Sequence, residues 1–232
     1  MKFSKTTLLI ATLSTSLFAT EVKQSIDLGV TVAEGNAETS LINLAYKLES
    51  KWDNKTLSSA NYANYGENKG TTSVAQILGN TTYKISDGRY FTKTRFDYRH
   101  DALSDINYRL NLTQTIGKEW IKNDVTLFSN EIGLGYIAED VIGNTHEDLT
   151  VFYGHEIDHK ITETSSFFHD LSVFVPSSET DLYYSIANFG VKSSLSESLS
   201  LQISIQSRYE NSPAPGTKHH DFLLVSGVSY NF

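Results

Sequence analysis

Residues 221–232 read Asp-Phe-Leu-Leu-Val-Ser-Gly-Val-Ser-Tyr-Asn-Phe, and their alternation runs to the last residue. On an extended strand successive side chains point to opposite faces. Phe222, Leu224, Val228, Tyr230 and Phe232 therefore share one face, and Asp221, Gly227, Ser229 and Asn231 share the other. A soluble domain has no use for a half-apolar strand that finishes on an aromatic residue. A transmembrane barrel does, because lipid solvates its outer face and a polar lumen its inner one.

The same period of two runs upstream, and no stretch sustains the 3.6 period of an amphipathic helix. Ile42, Leu44, Tyr46 and Leu48 alternate with Asn43, Lys47 and Glu49; Leu201, Ile203 and Ile205 alternate with Gln202, Ser204 and Gln206. Turn residues punctuate the pattern at Gly35–Asn36, Asp53–Asn54, Asn68–Lys69–Gly70, Asp87–Gly88, Lys122–Asp124, Thr162–Glu163 and Ser196–Ser198. Longer connections are expected over Asp101–Asp105, Glu139–His146 and Asn211–Lys218, and after Pro176. The result is about twelve strands, most longer than the roughly 5 or 6 residues usual in soluble sheets and long enough to cross a bilayer at a tilt. The expected fold is all-β: one antiparallel up-and-down transmembrane barrel over residues 20–232. Short turns alternating with longer loops, and an even strand count, place both termini on the periplasmic side.

Residues 1–19 open with Lys2 and Lys5, continue through the apolar run Leu8–Leu13 with Leu17 and Phe18, and end at Ala19. That is the layout of a cleaved secretory signal peptide, and the apolar run is too short to span a bilayer. Loss of Lys2 and Lys5 takes the formal net charge from −8 to about −10, which disfavours a nucleic-acid partner. There is no Cys, so no disulfide framework is available to an exported chain.

Aromatic residues cluster at strand ends: Trp52, Tyr90 and Trp120 at one end, and Tyr98, Tyr108, Tyr136, Tyr183 and Tyr209 at the other. Rings with one polar tip suit the two membrane interfaces and form girdles there. Three segments carry a family resemblance: Leu28–Ser40 with its Gly35–Asn36 turn; Tyr98-Arg99-His100-Asp101 through Tyr108-Arg109 to Gly117; and Asn211-Ser-Pro213-Ala-Pro215-Gly216 leading into the last strand. Together they resemble a bacterial family of salt-induced outer-membrane proteins of unknown molecular function. The resemblance covers the mature chain and implies an exported outer-membrane barrel, with a link to salt or osmotic stress. Gly227, Tyr230 and Phe232 fit a barrel-assembly signal, with the assembly machinery and outer-membrane lipids as partners; Val225 stands where that signal usually has a polar residue.

Inward positions should carry both signs of charge: Lys47, Glu49, Lys51, Lys93, Arg95, Asp97, Arg99, Arg109, Glu119, Glu156, Asp158, Lys160 and Arg208. They could set the selectivity of a pore or pair with one another and stiffen the barrel. His155-Glu-Ile-Asp-His159 spells a zinc-protease pattern, but that chemistry needs a helix. On a strand the two imidazoles stand roughly 13 Å apart and cannot share one zinc. Outer-membrane lipid hydrolases and acyltransferases pair Ser with His; His100, His146, His155, His169 and Ser129 supply material but no convincing spacing. His219 and His220 are adjacent, so on a strand they point to opposite faces. No nucleotide or phosphate loop is present, and no metal or cofactor is expected.

Overall fold

A computed structural model describes residues 21–33 and 39–232; the leader and the Gly35–Asn36 turn lie outside them. Twelve antiparallel strands close into a barrel: β1 (Glu21–Ala33), β2 (Thr39–Trp52), β3 (Lys55–Asn68), β4 (Thr71–Asp87), β5 (Tyr90–Asp101), β6 (Ile106–Lys122), β7 (Thr126–Val141), β8 (Asn144–Lys160), β9 (Ser165–Pro176), β10 (Tyr184–Ser194), β11 (Leu199–Glu210) and β12 (His220–Asn231). Each strand pairs with its sequence neighbours, and β12 returns to β1. Closure pairs edge N–H and C=O groups that hydrocarbon would not tolerate unpaired, and at the seam that ladder runs over four residue pairs.

The seam is formed by Ser25↔Asn231, Ile26↔Tyr230, Asp27↔Ser229 and Leu28↔Val228, and the Phe232 N–H donates to the Gln24 carbonyl at 3.0 Å. Gly29 and Gly227 meet there. A Cβ on Gly227 would stand 2.6 Å from the Leu28 carbonyl oxygen, and one on Gly29 2.5 Å from that of Ser226. The seam itself therefore requires Gly227, independently of any assembly signal.

Adjacent residues divide between the two faces as the alternation dictates. Leu44, Leu112, Ile203 and Tyr230 point outward and are 48%, 54%, 60% and 52% exposed. Their neighbours Asn43, Thr113, Ser204 and Ser229 point inward and are buried. The apolar belt thus lies outside and the polar surface inside, the reverse of a soluble domain. Leu134 sits at the middle of β7, 68% exposed on that belt. Leu134→Arg is expected to destabilise the lipid-embedded barrel by about 2–4 kcal/mol. Urea unfolding from phospholipid vesicles checks this; an unchanged midpoint would mean that the belt does not face hydrocarbon.

Most connections are short. Asp53–Asn54 joins β2 to β3 with Asp53 at φ 50°, and Lys69–Gly70 joins β3 to β4 with φ 49° and 72°. The β4–β5 hairpin turns on Gly88–Arg89, one residue later than expected. The loop expected over Glu139–His146 is instead strand: β7 and β8 continue to Val141 and from Asn144, joined by Ile142–Gly143 at φ 55° and 75°. Polar residues occupy both faces there, so the alternation that marks a strand elsewhere is missing. The β9–β10 connection contains a single 3-10 turn, Thr180–Leu182, and is tied down. Ser177 and Ser178 donate to the Asp148 carboxylate, and Asn211 and Ser212 to the Asp181 carbonyl.

Candidate functional site

Among the described residues polar side chains converge in the lumen, and its contents fall into three layers. At the end opposite the chain termini, Arg99 on β5 and Arg109 on β6 are direct cross-strand neighbours. Two like charges facing each other in a sheet repel. Glu210 on β11 answers both: Arg99 Nη1 donates to its Oε1 at 2.7 Å and Arg109 Nη1 to the same oxygen at 3.1 Å. In a twelve-strand ring β5 and β11 stand six strands apart either way round, so this bridge crosses the full diameter. Asp101 accepts from Arg99 Nη2 at 2.8 Å, and Glu139 from Arg109 Nε at 2.5 Å. Arg208, also on β11, donates to Gln206 and has Asp101 at 3.8 Å. Arg99, Arg109 and Arg208 are all buried.

Below this bridge one side of the lumen is packed with apolar groups. Ile137, Phe152, Phe174 and Tyr184 form a buried cluster with Ile186 against it. The Phe174 ring stacks on Tyr184 at 4.8 Å and meets Phe152 edge-on at 5.0 Å. The Tyr184 hydroxyl crosses the lumen to donate to Asn111 at 2.9 Å, and the Arg109 guanidinium lies 4.5 Å from the Tyr184 ring centre. Arg95 pairs with Asp97 at 2.8 Å and donates across to Ser172 at 3.0 Å. Lys93 reaches Glu131 at 3.0 Å and Glu156 at 3.8 Å. Nearer the termini, Lys84 and Lys122 both pair with buried Glu119.

The rest is open. A cavity of about 610 Å³ faces the end that carries the termini and is bordered by Lys47, Glu49, Asp158 and Lys192. A second, of about 310 Å³, lies mid-lumen, and a third, of about 260 Å³, lies under the β11–β12 loop. The first two share Tyr62, Leu78, Glu156, Asp170, Asn188 and Gln206 as walls; the last two share Gln206 and Arg208. Each cavity thus shares wall residues with the next.

The structure gathers Lys47, Glu49, Lys93, Arg95, Asp97, Arg99, Arg109, Glu119, Glu156, Asp158 and Arg208 around this interior. Lys51 pairs with Glu49 at 2.7 Å near the rim, and exposed Lys160 ends β8. Sequence reasoning missed Asp27, Asp101, Glu131, Glu139 and Glu210, the carboxylates that partner Lys47, Lys93, Arg99 and Arg109. Trp52, Tyr90, Tyr98, Tyr108, Trp120, Tyr136 and Tyr209 lie on the outward face, with Tyr183 just before β10. Lys118 Nζ stands 4.2 Å from the Trp120 ring centre.

His155 and His159 share one strand and face outward, and among the described residues no group of three or more metal-binding side chains assembles. His155 instead lies beside His169, ring centres 4.8 Å apart, with His169 Nδ1 held by the Asn188 carbonyl at 2.9 Å. The one hydroxyl–imidazole hydrogen bond among the described residues joins Thr126 to His159 at the exposed strand ends, 2.8 Å long.

A family model described as "Protein of unknown function, DUF481" matches residues 26–232. No curated protein matches the chain. Among solved structures, the NanC porin is similar with a TM-score of 0.52 at 10% identity, over 89% of this chain and 96% of that one. The KdgM porin, described in complex with disordered oligogalacturonate, gives 0.49 at 11% identity, over 90% and 99%. At such identities the likeness is one of fold alone.

Proposed function

We propose, for a chain that belongs to the DUF481 family of proteins of unknown function, the role of a narrow passive pore in the outer membrane of a Gram-negative bacterium. One observation carries the reading: three cavities share wall residues inside a closed barrel, with Gln206 on all three and Arg208 on the last two. Eight-stranded barrels are filled by side chains and sixteen-stranded porins leave a wide channel. Here twelve strands enclose an interior that is partly filled, so water and small ions have a path and larger solutes do not. The apolar belt supports residence in a bilayer, the outward Trp and Tyr residues suit interfacial girdles, and the closing strand suits recognition by barrel-assembly machinery through Tyr230 and Phe232.

Planar-bilayer recording on purified protein tests the pore. Discrete conductance steps, smaller than those of a sixteen-stranded porin recorded alongside, are expected. If no steps appear, the transverse bridge and the apolar cluster leave a rigid structural envelope protein as the better account. The resemblance to salt-induced proteins adds that its abundance should rise when cells are shifted to high NaCl, which immunoblots of outer-membrane fractions check. A lipid hydrolase or acyltransferase has no such support, since neither His155 nor His169 has a hydroxyl nucleophile hydrogen-bonded to it. Turnover of phospholipid or lipopolysaccharide by the purified protein would restore that alternative.

A further inference from the structure

The arginine cluster has more donors than acceptors. Arg109 is fully engaged by Glu139 and Glu210. Arg99 spends its terminal nitrogens on Glu210 and Asp101, but its Nε is buried with no hydrogen-bond partner. Arg208 is worse served. Its Nε is likewise buried and unpartnered, its one hydrogen bond goes to a neutral amide, and the nearest carboxylate oxygen is 3.8 Å away. That oxygen, Asp101 Oδ2, is already taken by Arg99, so the two guanidinium groups flank one acceptor. Arg99 is 6% exposed and Arg208 4%, so bulk water cannot make up the deficit. A buried donor left unmade is costly, and more so on a charged group.

The position of this deficit matters as much as its size. Arg208 lines both the mid-lumen cavity and the cavity under the β11–β12 loop, where only it and Gln206 are shared. An ion moving between the two would pass Gln206 and Arg208. Asp221 stands opposite Arg208 in the strand register and lines the loop-side cavity with it, but makes no hydrogen bond to Arg208. Asp101, Glu139 and Glu210 are held by Arg99 and Arg109.

We propose that the junction of these two cavities is a binding site for a small monovalent inorganic anion, a halide in the simplest case, held by Arg208 with Arg99 beside it. The anion offsets the poorly paired charge of Arg208 and gives the pore its ion preference at the wall that the two cavities share. The selectivity consequence rests on the pore reading; the binding site does not.

The test separates the two. Reversal potentials are recorded in a KCl gradient for the natural protein, Arg208→Gln, Arg208→Lys and Asp221→Asn, and crystals of the natural protein are soaked in bromide for anomalous scattering. The expected result is anion preference, a chloride-over-potassium permeability ratio lowered at least about threefold by Arg208→Gln and largely kept by Arg208→Lys, and a bromide peak beside the Arg208 guanidinium at the cavity wall. Asp221→Asn should keep or raise the preference; if it abolishes it, Arg208 serves Asp221 and the proposal is overturned. Conductance steps that are unaltered in selectivity by Arg208→Gln, with no bromide peak, overturn the site and leave the pore standing. Absence of steps in the natural protein removes the pore instead, and the bromide map then decides the site alone: a peak supports it and an empty junction overturns it.

Discussion

Glu210→Gln is expected to lower the unfolding free energy of the barrel by about 3 kcal/mol and to raise its conductance. The substitution keeps the shape of the side chain and removes its charge. Arg99 and Arg109, direct cross-strand neighbours, then face each other with nothing negative between them. Breaking one partner out of a buried ionic group costs roughly 3–5 kcal/mol, because the remaining charges stay desolvated and uncompensated. The lower end applies here, since Asp101 and Glu139 still hold one face of each guanidinium. Loss of conductance restriction follows from geometry: Glu210 joins walls six strands apart, so its release frees the centre of the lumen. Glu49→Gln is the control. Its partner Lys51 sits at the rim, both side chains are about two-fifths exposed, and the pair should be worth under about 1 kcal/mol. Urea titration followed by Trp fluorescence, with bilayer recording of the same preparations, checks both. If Glu210→Gln behaves like Glu49→Gln, the transverse bridge is solvated and does not close the lumen.

The wall of this barrel was legible in the sequence and most of its interior wiring was not. Period-two alternation specifies which face each residue takes, because a register slip of one residue would turn every Leu and Val of a strand into the lumen. It fails where both faces are polar, as over Glu139–His146, where a strand reads as a loop. The cross-lumen partners are invisible for a different reason. Arg99 and Glu210 are 111 positions apart, and they meet only because closure at twelve strands sets β5 opposite β11. A count uncertain by two strands would put a different residue across from Arg99. The apolar cluster did leave a signal. Val151-Phe152-Tyr153 and Val173-Phe174-Val175 are runs of three apolar residues, and in a strand whose outer face meets lipid the middle one must point inward. Phe152 and Phe174 do so, packed against each other. Runs of this kind mark a filled lumen as alternation marks its wall.

Phe174→Ala is the second large expected effect, about 3–5 kcal/mol of lost stability. Phe174 is 1% exposed between Phe152 and Tyr184, so truncation leaves a cavity that the hydrogen-bonded wall cannot collapse to fill. Phe222→Ala removes a ring of the same size from the outward face, where Phe222 is 70% exposed, and should cost well under that because lipid or detergent replaces its neighbours. Unfolding midpoints of the two variants distinguish a packed lumen from a water-filled one: equal and small effects would mean that the ring is solvated. The two inner layers also touch each other through Tyr184. Tyr184 stacks on Phe174 from one side and carries the Arg109 guanidinium near its ring, while its hydroxyl is fixed on Asn111. Removing Phe174 frees Tyr184 to shift, and Arg109 loses an aromatic neighbour just where it meets Glu210. Effects of residues that share a partner do not add. Phe174→Ala and Glu210→Gln combined should therefore cost less than the sum of the two by about 0.5 kcal/mol or more, the range seen for coupled neighbours. Strict additivity would mean that the aromatic cluster and the charged bridge support the barrel independently. Coupling would make them one plug, loosened by a change at either layer.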